Sequence, residues 1–497
     1  MKLLVQILTA ILILANLNAQ AQDDKLLSVK KMQKDFDNLL LSIEAHPDPF
    51  IHFGEKAFMA KFDEEKKSIE KPMTSLEFYK KMATMIALLK DGHSVMYLPK
   101  GWMNKKRKKN GVFPFEVHLT IDDELYLIKN YGTVNVPLPA KIISVNGIPV
   151  SEFLNKIDPY ISYELKQFRN TIIDDQFEKY LYLAFGFSNN LELEYLHSDT
   201  TQLTVKNIPI VEWKQEIKDE REDKEKKIAR GEPYDYRKIQ DGIAMISVYS
   251  FAIPVDRLND YDVFLQKTFK KIAQDSIHSL IIDVRGNYGG WPIVSSKLFH
   301  YLTDLPFKTM AKSSLKVSHA YREYYYKQIP ELRHNTVLIN KRRHYIDLDA
   351  VLRGEIGTYV NEDSYFKEIT DKKKFEFKGD CYLLINRDSY SAASSFAATF
   401  QCYQVGALIG EETGGTKIFR ANAFPTLLGS SAWISMSTTK KYSTCYSQEF
   451  EGVTPTVEYS PSIFELVSDL DTQLIFTQRL IKQVQKKKAE LETSSGQ

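Results

Sequence analysis

The stretch Ser389-Tyr-Ser-Ala-Ala-Ser-Ser places four serine hydroxyls where an apolar run gives way to small residues of helical character. A serine at the first turn of such a helix, with Ala392 and Ala393 behind it, has open surroundings. The helix dipole there favours developing negative charge. The same residue type is also a common N-cap, so position alone leaves a capping role and a nucleophilic role both open. The usual nucleophile-elbow pattern, G-x-S-x-G, is absent. A second stretch, Arg285-Gly-Asn-Tyr-Gly-Gly-Trp-Pro, lacks the glycine spacing and the lysine of a nucleotide-binding loop. Its backbone amides could face a developing oxyanion, or the glycines could serve only a tight turn. Of ten histidines, His93 stands out as a base because it follows Gly92 and lies beside Asp91 and Ser94. His52, His319, His334 and His344 sit in polar stretches with no better claim. There is no H-E-x-x-H and no C-x-x-C, so the spacing supports neither a metal-ligand cluster nor a cofactor.

These residues need elements to hold them. Phe36, Leu39, Leu40 and Ile43, and again Phe78, Met82, Met85 and Leu88-Leu89, recur at helical spacing, so residues 23–110 read as an N-terminal helical domain. Thr74-Ser75 with Glu77 supplies a helix start, and Gly92 a stop. Residues 111–240 change period and read as a β-rich region, with Asn146-Gly147 suited to the primed turn of a hairpin. Within it, residues 214–238 crowd charges of both signs and read as a solvated connector. Residues 241–465 alternate apolar strands (at 242–248, 279–284, 381–386 and 407–411) with helices, which argues for an α/β layer with its crevice at the strand-to-helix loops. Residues 303–378 read as an insertion in that layer, and residues 466–497 as a final helix and tail. The basic clusters Lys105–Lys109 and Lys486–Lys488 read as surface.

Composition narrows the classes further. Lys plus Arg is 66 and Asp plus Glu 64 in 497 residues, a net charge of +2. That balance gives no general pull toward nucleic acid or anionic membranes. Residues 1–21 carry Lys2, an apolar run from Leu3 to Leu17 and then Ala19-Gln20-Ala21, the pattern of a signal peptide cleaved after Ala21. The expected location is therefore secreted or periplasmic in a bacterium, with no stable membrane span after cleavage. Three cysteines, Cys381, Cys402 and Cys445, are too few for a disulfide framework and read as small buried hydrophobes, with one bridge possible.

Six motifs occur in a telling order. They are Leu88-Leu-Lys-Asp-Gly-His-Ser, Ile142-Ile-Ser-Val-Asn-Gly-Ile-Pro-Val, Leu280-Ile-Ile-Asp-Val-Arg-Gly-Asn-Tyr-Gly-Gly, Ser389-Tyr-Ser-Ala-Ala-Ser, Ile409-Gly-Glu-Glu-Thr-Gly-Gly and Glu451-Gly-Val-Thr-Pro. In that order the chain resembles the tail-specific (C-terminal processing) serine peptidases over about residues 30–465. The likeness is greatest to their branch similar to the tricorn protease core and interphotoreceptor retinoid-binding protein.

The resemblance implies an α/β fold with a crotonase-like ββα core, an N-terminal helical domain and a PDZ-like middle region. It implies a serine endopeptidase acting on peptides or unfolded protein, without a cofactor, through an acyl-enzyme on Ser391. His93 falls on the general base, and Ala392 with Gly289 or Gly290 on the oxyanion hole. Glu449 and Glu451 both compete for the acid that completes the site. Lys417 is the alternative base, although it stands one place later than the lysine of the Ser/Lys peptidases and lacks the glycine that follows there. The tricorn-like branch can also place a serine directly before its histidine, where this chain has Gly92. A hydroxyl relay would then come from elsewhere. The alternative function is a non-catalytic peptide- or ligand-binding protein on the same scaffold.

Overall fold

A computed structural model describes residues 26–186, 190–197, 203–211, 232–333, 348–361 and 375–495, apart from 423, 447 and 469. The signal-peptide segment and residues 214–231 of the charged connector lie outside the described residues. The N-terminal helices Val29–Glu44, Glu55–Lys67 and Ser75–Ala87 bury one face each. Phe36, Phe62 and Phe78 meet in one aromatic cluster. The helix start at Thr74 forms as its spacing predicts. The Thr74 side chain accepts the Glu77 N–H at 3.2 Å, and the Glu77 carboxylate accepts the Thr74 N–H at 2.8 Å. The stop differs from expectation. The helix ends at Ala87, and Lys90, not Gly92, takes the left-handed conformation at φ 49°. Residues 23–110 also contain a short strand, Val95–Tyr97, and a second basic helix, Trp102–Asn110.

The middle region is an antiparallel sheet of Phe115–Leu119, Leu125–Asn130, Ala140–Val145, Asn190–His197 and Leu203–Pro209. Its Ala140–Val145 strand turns through Asn146 and Gly147, both at positive φ, into Ile148–Pro149. That backbone is the mirror-image turn that the Asn-Gly pair favours. Between the sheet's third and fourth strands the chain forms the helices Val150–Ile157, Lys166–Asp175 and Phe177–Phe185.

The core is a six-stranded sheet in the order Val457–Glu458, Gly406–Gly410, Asp380–Ile385, Ser279–Asp283, Ile243–Val248 and Tyr234–Gln240. All neighbours are parallel except the last pair. Parallel strands covered on both faces read as continuous apolar runs, and every residue of Ile243–Val248 is buried. One face packs on Leu258–Gln274, Pro292–Phe299 and Ala392–Cys402, through residues such as Leu265, Leu298 and Phe396. The other face packs on the C-terminal helix Thr472–Ser495 through Leu474 and Ile481. The protein is thus α/β, with helices at its N-terminus and a β-rich middle. Among the described residues, no helix is long and apolar enough to cross a membrane.

Three expectations change. Tyr234–Gln240, whose residues 234–238 were placed by composition in the charged connector, is the antiparallel edge strand of the core sheet, where one exposed face suits its polar residues. Residues 303–378 are more than an insertion. Met310–Lys316 lies between Tyr359–Asn361 and Thr439–Ser443 in a four-stranded sheet completed by Ile418–Ala421. Tyr321, in the helix His319–Gln328, is 4 % exposed and joins the main N-terminal core, so this tyrosine is packed inside the protein. Finally, Cys402 and Cys445 form a disulfide, leaving Cys381 buried and free. The bridge ties the end of the Ala392–Cys402 helix to the segment after Thr439–Ser443. Closing a loop across a separation of 43 residues constrains the unfolded chain by roughly 4 kcal/mol.

Candidate active site

The strand Asp380–Ile385 runs into a loop that ends at Ser391, and the helix Ala392–Cys402 starts on the next residue. Ser391 takes φ 53° and ψ −117°, a conformation that costs a non-glycine residue about 1–3 kcal/mol. Its side chain makes no cap to the helix, so its hydroxyl is held out at a sharp strand-to-helix turn. This is an elbow without the glycines of G-x-S-x-G. The flanking positions hold the small residues Ser389 and Ala393, both fully buried. The other hydroxyls serve the scaffold. Ser389 Oγ donates to the Val284 carbonyl at 2.9 Å, and Ser394 Oγ to the Ser391 carbonyl at 2.8 Å.

His93 comes from the N-terminal region, 298 residues away, and its Nε2 lies 2.9 Å from Ser391 Oγ. On its other side, His93 Nδ1 lies 2.9 Å from the hydroxyl of Tyr390, which in turn lies 3.3 Å from Glu164 Oε2. The ring of Tyr390 is 5 % exposed and stacks flat on Phe168, with centroids 3.8 Å apart. Phe168 belongs to the helix Lys166–Asp175, whose Thr171 Oγ1 also donates to Asp388 at 2.7 Å. Asp174 of the same helix pairs with Arg387. The middle region therefore braces the serine loop directly.

Two carboxylates sit behind the histidine in different states. Asp91 is wholly buried and takes the His93 backbone N–H at 3.0 Å, while its Oδ1 stays 3.8 Å from the ring Nδ1. The Asp48 N–H donates to His46 Nδ1, so His46 Nε2 carries a proton that it gives to Asp91 Oδ2 at 3.2 Å. Burial alone would raise the Asp91 pKa, but the His46 and His93 imidazoles prevail and hold it well below the usual carboxylate range. Glu164 goes the other way. Burial, and then the charge of Asp91, push its pKa up to about 7. Asp91, His93 and Glu164 each bring one ligand atom within 4.8 Å of the others, a spacing a metal ion could bridge. Motif spacing gave no hint of this group, because Glu164 lies on a distant segment.

Gly92 explains the departure at the residue before the histidine. A Cβ there would lie 2.5 Å from the Tyr390 hydroxyl and 2.9 Å from Phe168 Cε1, so Tyr390 occupies the space that a side chain at 92 would need. Gly92→Ser is expected to displace that hydroxyl and lower kcat by about 10- to 100-fold, as a misoriented base would. Steady-state kinetics check this, and kcat at the wild-type level would refute it.

The glycine loop lies against the serine. A Cβ on Gly289, at φ 101°, would meet Ser391 Cβ at 2.7 Å and Ala392 N at 2.8 Å. The amide of Gly289 is engaged, because it donates to Asn287 Oδ1 at 2.8 Å. Buried Asn287 also donates to the Val248 carbonyl and accepts the Tyr390 N–H, pinning both loops together. Among the described residues, the N–H groups of Gly290 and Ala392 have no hydrogen-bond partner.

The remaining expected residues lie elsewhere. Glu449 pairs with Arg420 at 2.8 Å and with Lys440, in a network that includes Asp48. Glu451 pairs with Lys417 at 3.3 Å, and the Lys417 ammonium also lies over the Tyr446 ring. Among the described residues, neither glutamate is a hydrogen-bond partner of His93, and Lys417 is not one of Ser391. Tyr390, Glu164, Asp91 and Asn287 were not singled out as site residues from sequence. Tyr390 directly precedes Ser391 and Asp91 is two residues from His93, so those two were within reach, whereas no local signal marks Glu164.

A hydroxyl at an elbow, an imidazole on it and two open amides beside it make a site of the serine-hydrolase type. Residues 242–459 match the model of Peptidase family S41, and the chain carries a domain of that family, making it a serine-type peptidase. The match spans the five parallel strands of the core sheet and Ser391 but includes neither the edge strand Tyr234–Gln240 nor the segment that supplies His93. No curated protein matches the chain. Among solved structures it is similar to mature CPAF, at 13 % identity and TM-score 0.61, covering 88 % of this chain and 94 % of that one. Mature CPAF complexed with lactacystin gives 12 % identity and TM-score 0.61, covering 88 % and 95 %. At such identities the likeness establishes the fold.

Proposed function

We propose that the protein is an endopeptidase that cleaves peptides or unfolded protein through an acyl-enzyme on Ser391, with His93 as general base. The contact of 2.9 Å between His93 Nε2 and Ser391 Oγ carries this reading, since it joins the two residue types the chemistry needs across 298 positions. Tyr390 and Glu164 take the place expected of Glu449 or Glu451. With Glu164 ionised, the Tyr390 hydroxyl donates to it, and the tyrosine oxygen accepts the proton of His93 Nδ1. The Nε2 lone pair then faces Ser391, as a base requires. With Glu164 protonated, the relay can reverse, and Tyr390 then donates to Nδ1 and leaves the proton on Nε2. Asp91, at 3.8 Å, stabilises the imidazolium that forms when the serine attacks.

The tetrahedral oxyanion would sit between the N–H groups of Ala392 and Gly290. Loss of one such donor typically costs about 100- to 1,000-fold in turnover. Protonated His93 would then pass its proton to the leaving amine, and a water activated by the same nitrogen would release the acyl group. A fluorophosphonate probe is expected to form one covalent adduct, on Ser391, by peptide mass spectrometry. An unlabelled protein, or an adduct on another serine, would refute the assignment.

We further infer export across a membrane, from the signal-peptide pattern of residues 1–21 together with the Cys402–Cys445 bridge. The secreted or periplasmic protein should then begin at Gln22 by N-terminal sequencing, and an intact Met1 would refute cleavage.

A further inference from the structure

A cleft of about 540 Å3 opens beside the site and has no part in the chemistry above. Its walls reach the reacting groups from three sides. Gly92 precedes His93, Phe168 stacks on Tyr390, and Tyr288 precedes the Gly289 that packs on Ser391. One wall is the strand Val95–Tyr97, which begins two residues after His93. Among the described residues, that strand is the edge of a three-stranded sheet and pairs only with Trp433–Met436. Its outer side therefore offers backbone donors and acceptors to one more extended chain.

The cleft is also lined by Lys179, third residue of the helix Phe177–Phe185. Its ammonium donates to Gln176 Oε1 and lies 4.5 Å from the centre of the Tyr180 ring. Among the described residues, no carboxylate pairs with it. The acid that lines the same cleft, Asp175, is taken by the hydroxyl of Tyr288, and Lys100 on the rim adds a second positive charge. Lys179 is half-buried, and burial without an anion lowers its pKa to about 7. An incoming carboxylate would relieve that cost and form a charge-assisted hydrogen bond.

We propose that an extended peptide lies along the Val95–Tyr97 edge and that Lys179 receives one of its carboxylates, so that this cleft selects acid-bearing substrates. The carboxylate is an acidic side chain or the peptide's C-terminus, and the proposal rests on Ser391 cleaving peptides.

Two matched pairs of fluorogenic peptides test it, one pair carrying Glu or Gln at successive internal positions, the other ending in a free acid or an amide. In at least one pair the acid should exceed its neutral partner by about 10- to 100-fold in kcat/KM, the worth of a hydrogen bond to a charged group. Lys179→Met should bring that ratio close to one, and Lys179→Arg should keep most of it. The pair that responds identifies the source of the carboxylate. Equal turnover within both pairs, or an unchanged ratio in Lys179→Met, would overturn the proposal. Binding of the same labelled peptides to Ser391→Ala reads the discrimination without turnover and without altering Lys179. Wild-type protein that discriminates in binding but cleaves nothing would sink the peptidase mechanism and spare the recognition site. Cleavage with no discrimination would do the reverse.

Discussion

Ser391→Ala is expected to lower kcat about a million-fold, the scale of losing the nucleophile from a serine-hydrolase site. The fold should be unharmed, because the Ser391 hydroxyl caps no helix and its side-chain hydrogen bond is the one to His93. Alanine also keeps the Ser391 Cβ, the atom that lies closest to where a side chain at Gly289 would stand. His93→Ala should lose a comparable factor, and the double variant little more, since residues that act as a unit are not additive. The measurement is hydrolysis of an unfolded protein such as casein, with thermal unfolding run in parallel. A folded Ser391→Ala that keeps even a hundredth of wild-type kcat would rule out this serine as nucleophile. Folded variants that bind peptide as before would separate loss of chemistry from loss of binding.

Tyr390→Phe carries the second-largest expected effect, a fall in kcat of about 100- to 1,000-fold with KM little changed. That is less than the roughly 10,000-fold cost of replacing a triad's orienting carboxylate, because Asp91 remains in place. Phenylalanine keeps the stack on Phe168 and removes only the hydroxyl between His93 and Glu164. A pH signature separates this role from a structural one. Glu164 takes up its proton as the pH falls through about 7, and the relay then turns Nε2 from acceptor to donor. Wild-type kcat should therefore decline below about pH 7, and the part of that decline owed to Glu164 should vanish in Tyr390→Phe. A variant with wild-type kcat and an unchanged acid limb would refute the relay.

The same group predicts a sign for stability. Unfolded, Glu164 titrates near its ordinary 4.5, whereas in the fold it holds its proton up to about 7. Unfolding between those values releases a proton, so this group's contribution to stability declines as the pH rises from about 4.5 to about 7. Glu164→Gln should flatten that part of the profile in chemical denaturation.

The α/β core could be read because its signals are local. Ile243–Val248, Ser279–Asp283 and Asp380–Ile385 are continuous apolar runs, each ending in a loop of glycine, serine or asparagine. The capping box at Thr74 and the turn at Asn146-Gly147 depend on neighbours in the chain, and both formed as their spacing predicts. The sheet through Met310–Lys316 was not legible, because its partner Thr439–Ser443 lies more than a hundred residues away and the residues of neither strand alternate apolar with polar. Which two cysteines would make the one possible bridge was not legible for a similar reason, since only the approach of helix end to loop pairs Cys402 with Cys445.

The site divides along the same line. By itself the sequence supplied candidates for the chemistry: a serine before a small-residue helix, a histidine after a glycine, and a glycine loop after a buried strand. Each is a property of a few adjacent residues and survives in any tertiary arrangement. Only the tertiary structure decided which of them meet. It set His93 on Ser391, left open the amide of Gly290 while Asn287 took that of Gly289, and bonded Glu449 and Glu451 to Arg420 and Lys417. It also brought Tyr390 to Glu164, a pair separated by 226 residues that no periodicity could reveal. The reason is physical. A pattern along the chain records which face of an element is apolar, whereas the partner of a buried proton is chosen only when separate elements dock and exclude water around it.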